Sequence, residues 1–196
     1  LTETVDFGMM MAGNRLRVTL VTIHCPLAEV SAKLTQESIL KMIRITHQAL
    51  KVDFGIKKPK IGVAGFNPHG GENELFGSEE RRFIGPAIEL GKKEKIDLSG
   101  PHPPDTVFHK AASGDLDAVV CMYHDQGLIP FKLLHFEDGV NVTLGLPLVR
   151  TSVDHGTAYD IAGKGLASSA SLNAAVNMAS AISYNRTRDH FSGDQL

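Results

Sequence analysis

Tryptophan is absent from these 196 residues, aromatic side chains make up 6%, and there are two cysteines, Cys25 and Cys121. Two cysteines so far apart in sequence do not make a disulfide framework, and their scarcity predicts a reducing, cytoplasmic setting. Charge of one sign is lacking as well: 20 Lys+Arg against 22 Asp+Glu leave a formal charge of -2. That balance excludes the basic footprint of a nucleic-acid binder and the polybasic patch of a membrane-surface protein. No run approaches the ~20 apolar residues needed to span a bilayer. Neither GxGxxG after a strand-like segment nor GxxxxGK followed by Ser or Thr occurs, and HExxH and GxSxG are missing too. Neither of the common glycine-rich nucleotide-binding fingerprints is therefore present. There is no internal repeat, heptad or low-complexity tract.

What is present is an ordinary globular mixture, 42% hydrophobic and 21% charged. The length suffices for one large core or for most of a two-lobed enzyme. The opening LTETVDFGMMMAGNRL resembles neither a signal peptide nor a capped helix. It reads like the interior of something, so the chain is expected to be the C-terminal part of a longer protein, a trimmed terminus being the alternative.

Segments then alternate in type. Leu16 to Ile23 (LRVTLVTI) is β-branched and strand-length. From Thr35 to about Val52, Ile39, Met42, Ile43 and Leu50 fall at helical spacing, with Thr35 as N-cap, Glu37 in the first turn and Gly55 just beyond the end. Lys60 to Gly65 (KIGVAG) predicts a strand opening into the loop FNPHGGENELFG. A helix follows from Ser78 toward Gly91, which Pro86 must kink or shorten. Asp117 to Tyr123 and Val140 to Leu146 predict further strands, and Ser171 to about Tyr184 a final Ala-rich helix. Strands alternating with helices predict an α/β fold with a mostly parallel sheet covered on both faces.

In such sheets ligands sit beyond the carboxyl ends of the strands. There the nine histidines become informative. His24 follows LRVTLVTI, His69 follows KIGVAG, and His124 follows DAVVCMY. One such histidine is more often a hydrogen-bonded structural residue, but three in equivalent positions can converge at one sheet end. Three imidazoles with an open position suit a catalytic divalent metal: zinc, magnesium, cobalt or manganese. Lys132, Asn141 and Arg150 flank or lie within the VNVTLGL segment, where Lys and Arg are partners for phosphate or carboxylate; solvated surface is the plain alternative. Cys25 reads as a small residue at a strand end, and His102, His109 and His190 as surface residues.

The run from His155 through Gly156, Thr157, Ala158, Tyr159 and Asp160 to Gly165 (HGTAYDIAGKG) is more specific. It resembles the loop with which the isocitrate/isopropylmalate dehydrogenase superfamily binds NAD without a Rossmann fingerprint. With NPHGGE, MYHDQGLIPFK and GVNVTLGLPLVRTSVDHGTA, it marks the chain as similar to the 4-hydroxythreonine-4-phosphate dehydrogenase family, from about Asp6 to Ala181. The resemblance implies a three-layer α/β/α fold. It also implies a metal and substrate lobe over about 10–145, with about 146–196 returning to the NAD-binding lobe. His24, His69 and His124 match the family's metal ligands, Lys132, Asn141 and Arg150 its substrate contacts, and His155, Gly156, Thr157, Ala158 and Asp160 its NAD (or NADP) loop. A further substrate-contacting His-Thr pair belongs upstream of Leu1, and roughly the first third of a typical member is missing. A homodimer is implied, with one subunit completing the other's site.

The implied chemistry is metal-assisted oxidation of the 3-hydroxyl of a phosphorylated C4 acid. The metal polarises the hydroxyl as hydride leaves for the nicotinamide, and can hold the enolate if carbon dioxide is then lost. Asp105 and Asp125 are candidate carboxylates that orient the ligand histidines; no general base is assigned. The substrate is 4-phosphohydroxy-L-threonine, on the route to pyridoxal phosphate, or 4-phospho-D-threonate or D-erythronate in a sister branch. A different class of reading is a non-catalytic fragment that binds phosphorylated metabolites. The superfamily's fold is also shared by acyltransferases that need no NAD.

Overall fold

The computed structural model describes residues 2–193, and side chains through residue 188. Seven strands form one sheet: β1 (Gly8–Ala12), β2 (Arg17–Leu20), β3 (Lys60–Ala64), β4 (Asp97–His102), β5 (Ala118–Cys121), β6 (Val140–Leu144) and β7 (Thr151–Val153). Their order is β4-β3-β5-β2-β1-β6-β7. The first four in that order are mutually parallel; β1 runs against β2 and β6, and β7 against β6. Strands β2 to β6 therefore share one direction, and the expected mostly parallel sheet is observed.

Helices cover both faces. On one, α2 (Gln36–Val52), α3 (Gly85–Lys93) and α6 (Ala170–Gly193) pack on Met10, Ile61, Val63, Val120, Val140 and Val142. On the other, α4 (Val107–Ala112) and α5 (His124–His135) pack on Met11, Val18, Leu20 and Val119. A short helix α1 (Val30–Lys33) follows β2.

Helix α2 begins as expected: Thr35 Oγ1 accepts the Ser38 N–H at 3.0 Å, and Ser38 Oγ accepts the Thr35 N–H at 3.1 Å. Chain reversal after it uses Gly55 at φ +67°. The segment around Pro86 resolves into a wide π turn, Glu80–Ile84, continuing into α3 with Pro86 in its first turn.

Six of the strands and helices named above lie outside the sequence expectation, the four-residue α1 among them. β1 is a methionine strand, GMMMA, without β-branched residues, held by pairing on both sides. β4 contains Gly100 and Pro101, residue types disfavoured in strands. α4 is six residues long and β7 three, both too short for a periodic signal. α5 contains Gly127 and Pro130, two residues that argue against a helix. Gly127 lets α5 approach β2: a Cβ there would meet Leu20 Cδ2 at 2.9 Å and Cys121 Sγ at 3.2 Å.

Of the histidines expected at the surface, His109 is exposed. His102 is instead half-buried at the end of β4, with Nε2 2.8 Å from Ser99 Oγ of the same strand. The side chain of His190 lies outside the described residues.

Candidate active site

Strands β3, β5 and β2 are neighbours and parallel, so their carboxyl ends share one sheet edge. The segments bearing His69, His124 and His24 leave from that edge. His24 and His124 meet there, ring centroids 5.4 Å apart. They line a cavity of about 480 Å³ with Cys25, Tyr123, Asp125 and Ile129.

His124 opens α5, and its Nδ1 lies 2.7 Å from Asp125 Oδ1. A proton on Nδ1, shared with that carboxylate, leaves the Nε2 lone pair as the electron donor. Gln126 fixes the turn from beneath. Buried, it accepts the Met122 N–H at 2.7 Å and donates to Gly65 O at 2.7 Å, tying the exit of β5 to that of β3. Burial, with the nearby Asp125 charge, pushes the Tyr123 hydroxyl pKa up, so the phenol stays protonated beside the histidines. Asp105, the other candidate orienting carboxylate, is exposed after β4, and no hydrogen bond joins it to a histidine among the described residues.

His69 stands on the loop after β3, 6.0 Å from the Phe76 ring. It is not among the residues lining the His24–His124 cavity. Among the described residues no three His, Cys, Asp or Glu side chains stand close enough to hold a metal within one chain. The donors present fit a metal chemically, as exposed or half-exposed imidazoles with one Nε2 freed by a carboxylate.

Asn141 pairs directly with Met11 of β1, so its side chain shares Met11's face, the one α5 covers. Thr143, two residues on, shares that face and accepts Arg150 Nη1 at 2.8 Å. Lys132 on α5 reaches the end of β7, its Nζ 3.2 Å from Asp154 O and 3.1 Å from Asp154 Oδ2. Asp154 was not anticipated from sequence. The signal was a lone acid next to the HGTA run, indistinguishable there from a loop residue.

The segment from His155 to Gly165 is exposed almost throughout, apart from half-buried Ile161. His155 Nδ1 lies 2.9 Å from Gly156 O. Ala158, Gly163 and Gly165 adopt positive φ, and a Cβ at Gly156, Gly163 or Gly165 would meet nothing within 4 Å. The chain's own packing does not require the glycine at 156, which leaves room for backbone approach to a ligand. The loop's ends are joined: Asp154 N–H donates to Ser171 Oγ at 3.2 Å, and Ser171 Oγ donates to Gly139 O at 2.9 Å.

Residues 1–179 match the family described as pyridoxal phosphate biosynthetic protein PdxA. A 4-hydroxythreonine-4-phosphate dehydrogenase from Desulforapulum autotrophicum is 63% identical over 178 residues, covering 91% of this chain and 52% of that protein. One from Geobacter metallireducens is 61% identical over 171 residues, covering 87% and 50%. The crystal structure of the Klebsiella pneumoniae 4-hydroxythreonine-4-phosphate dehydrogenase superposes with a TM-score of 0.84 at 45% identity, over 92% of this chain and 55% of that one. A terephthalate 1,2-cis-dihydrodioldehydrogenase from Burkholderia xenovorans superposes at 0.74 with 32% identity, over 90% and 56%. The chain spans about half the length of the curated relatives it matches.

Proposed function

Because this chain belongs to the pyridoxal phosphate biosynthetic protein PdxA family, we propose that it forms the metal- and substrate-binding part of a cytoplasmic 4-hydroxythreonine-4-phosphate dehydrogenase. The reaction is NAD-linked oxidation of the 3-hydroxyl of 4-phosphohydroxy-L-threonine. The observation that carries this reading is the pairing of His24 with His124 at the carboxyl edge of the sheet, with Asp125 on the latter's Nδ1.

In this reading His24, His69 and His124 hold one divalent metal. When bound, the metal polarises the hydroxyl being oxidised and the nicotinamide accepts the hydride. Lys132 and Arg150 anchor the substrate's anionic ends, and Asn141 between them donates or accepts a hydrogen bond. The loop from His155 to Asp160 lies against the cofactor, with residues from about 146 onward belonging to the cofactor-binding lobe.

The partly assembled histidine set fits a homodimer whose site lies at the interface. Ile129 and Leu133 on α5, with Phe136 at its C-terminal cap, form an i, i+4, i+7 stripe, Leu133 82% and Phe136 77% exposed. Ile129 also lines the histidine cavity, so a second subunit seated on this stripe reaches the metal's edge. An isologous contact of this kind closes as a dimer.

The test uses the full-length protein. NADH formation is followed with 4-phosphohydroxythreonine, 4-phosphothreonate and their unphosphorylated acids, before and after chelation. Turnover of the first that chelation abolishes and added metal restores is the expected result. Equal or greater efficiency on 4-phosphothreonate assigns the enzyme to sugar-acid oxidation instead, and no NADH from any of them refutes the dehydrogenase reading.

A further inference from the structure

The loop bearing His69 has an unusual backbone. His69, Gly70, Gly71, Glu72, Asn73 and Glu74 all have positive φ, between 40° and 83°. Four of these six carry a Cβ, for which the left-handed region is unfavourable, and such a run persists only where its surroundings impose it. The strand exit that leads into this run is held by a buried carboxylate. Glu80 is 7% exposed and stands at the start of the π turn. Its Oε1 accepts the N–H groups of Phe66 and Asn67, both at 2.7 Å, and its Oε2 accepts Asn67 Nδ2 at 2.8 Å.

The neighbours of Glu80 in sequence hold the rest of the loop. Glu79 Oε2 accepts the same Asn67 Nδ2 at 2.8 Å, and Glu79 Oε1 accepts Ser31 Oγ from α1. Arg81 Nε pairs with Glu74 Oε1 at 2.6 Å, closing the far end of the left-handed run. The loop wraps closely enough that a Cβ on Gly71 would meet Glu80 Oε2 at 2.8 Å, and one on Gly65 would meet Oε1 at 3.1 Å.

No ion pair reaches Glu80 among the described residues, so its burial is compensated by N–H donors alone. Only a carboxylate accepts at both oxygens; a glutamine would turn an NH₂ toward the Asn67 NH₂ or toward the two backbone N–H groups.

We propose that Glu80 is the positioning residue for His69: it binds the strand-exit N–H groups and so fixes the strained turn that presents the imidazole to the metal. This rests on the reading of His69 as a metal ligand, through which Glu80 acts without touching the metal or substrate itself.

The experiment titrates Co²⁺ into the full-length protein, recording its d–d absorption, and follows amide exchange over residues 66–77 and over α2 as an internal reference. Glu80→Gln should speed exchange over 66–77 at least tenfold, leave α2 unchanged, and weaken Co²⁺ binding about 10- to 100-fold with an altered d–d band. His69→Ala is the control on the premise. If it leaves Co²⁺ affinity and spectrum at parental values, the metal reading of His69 fails, and this proposal with it. If His69→Ala weakens Co²⁺ while Glu80→Gln keeps affinity within twofold and the band unaltered, the metal reading stands and the Glu80 proposal is overturned. Equal acceleration of exchange over α2 also overturns it, since that marks a general structural role. Should Glu80→Gln not fold, Asn67→Ser removes only the Nδ2 bridges and is judged on the same readouts and thresholds.

Discussion

The carboxylate of Asp125 lies 2.7 Å from Nδ1 of its neighbour His124 at the first turn of α5, so the residue that orients the imidazole is adjacent to it in sequence. Removing it by Asp125→Ala frees both tautomers and the ring's rotation. Because the Asp125 carboxylate is 71% exposed, the expected loss in metal affinity is at the lower end of the range for orienting carboxylates, about tenfold. Calorimetric titration with Zn²⁺ checks this, and parental affinity in the variant would remove Asp125 from the site.

Lys132 and Arg150 differ in how they are held, by Asp154 and by Thr143 respectively. If both anchor a doubly anionic substrate, each alanine variant should lose roughly 2–5 kcal/mol of transition-state binding, read as kcat/KM. Solvated surface cations would lose less than about 1 kcal/mol. Unphosphorylated acids serve as controls, because one anchor then has no partner to lose.

Arg186 of α6 reaches the end of α2. Its Nε lies 2.6 Å from Asp53 Oδ1, and Nη2 is 3.2 Å from Oδ2. The aspartate is 4% exposed, so Arg186→Leu strands a buried charge and should destabilise the fold by about 3–5 kcal/mol in urea unfolding. The double variant Arg186→Leu with Asp53→Leu should recover much of that loss.

Gly127→Ala inserts a methyl group 2.9 Å from Leu20 Cδ2. The gain in helix propensity, about 1 kcal/mol, is opposed by overpacking of about 1–3 kcal/mol. The net effect should be a lower denaturation midpoint, whereas a rise would show that α5 shifts freely on the sheet.

His102 is held neutral chiefly by burial, with the Lys110 charge adding to the effect, so its pKa lies below the ordinary histidine value. The unfolded chain then binds a proton that the folded chain refuses, and stability falls as pH drops below about 6.5. His102→Gln should flatten that part of the stability–pH curve. An unchanged slope would assign it to other groups.

The sheet and the edge at which His24 and His124 meet were legible because LRVTLVTI, KIGVAG and DAVVCMY read as strands that end shortly before the histidines. β1 was not, since Met9, Met10 and Met11 have no strand preference and take their conformation from pairing with β2 and β6. α5 was hidden by Gly127 and Pro130. Glycine there serves contact with β2, a tertiary reason invisible to periodicity. The same limit applies at the site. Asp125 could be named from its place beside His124, but Glu80 could not be linked to His69, because the link is a set of backbone N–H groups folded back onto it. That His24 meets His124 requires β2 to lie beside β5, an adjacency that residue spacing does not encode.

The hydrogen bond from Asp154 to Ser171 closes the base of the segment between them. Closure entropy changes slowly with loop length, by about 0.6 kcal/mol for a doubling, and within this chain the segment is nearly all exposed. Its residues are thus relieved of folding duty. Under the proposed reading of this segment as the cofactor loop, selection at positions such as Thr157 and Asp160 follows the cofactor rather than the fold, and exchange of the segment between relatives would change cofactor preference without rebuilding the sheet beneath it.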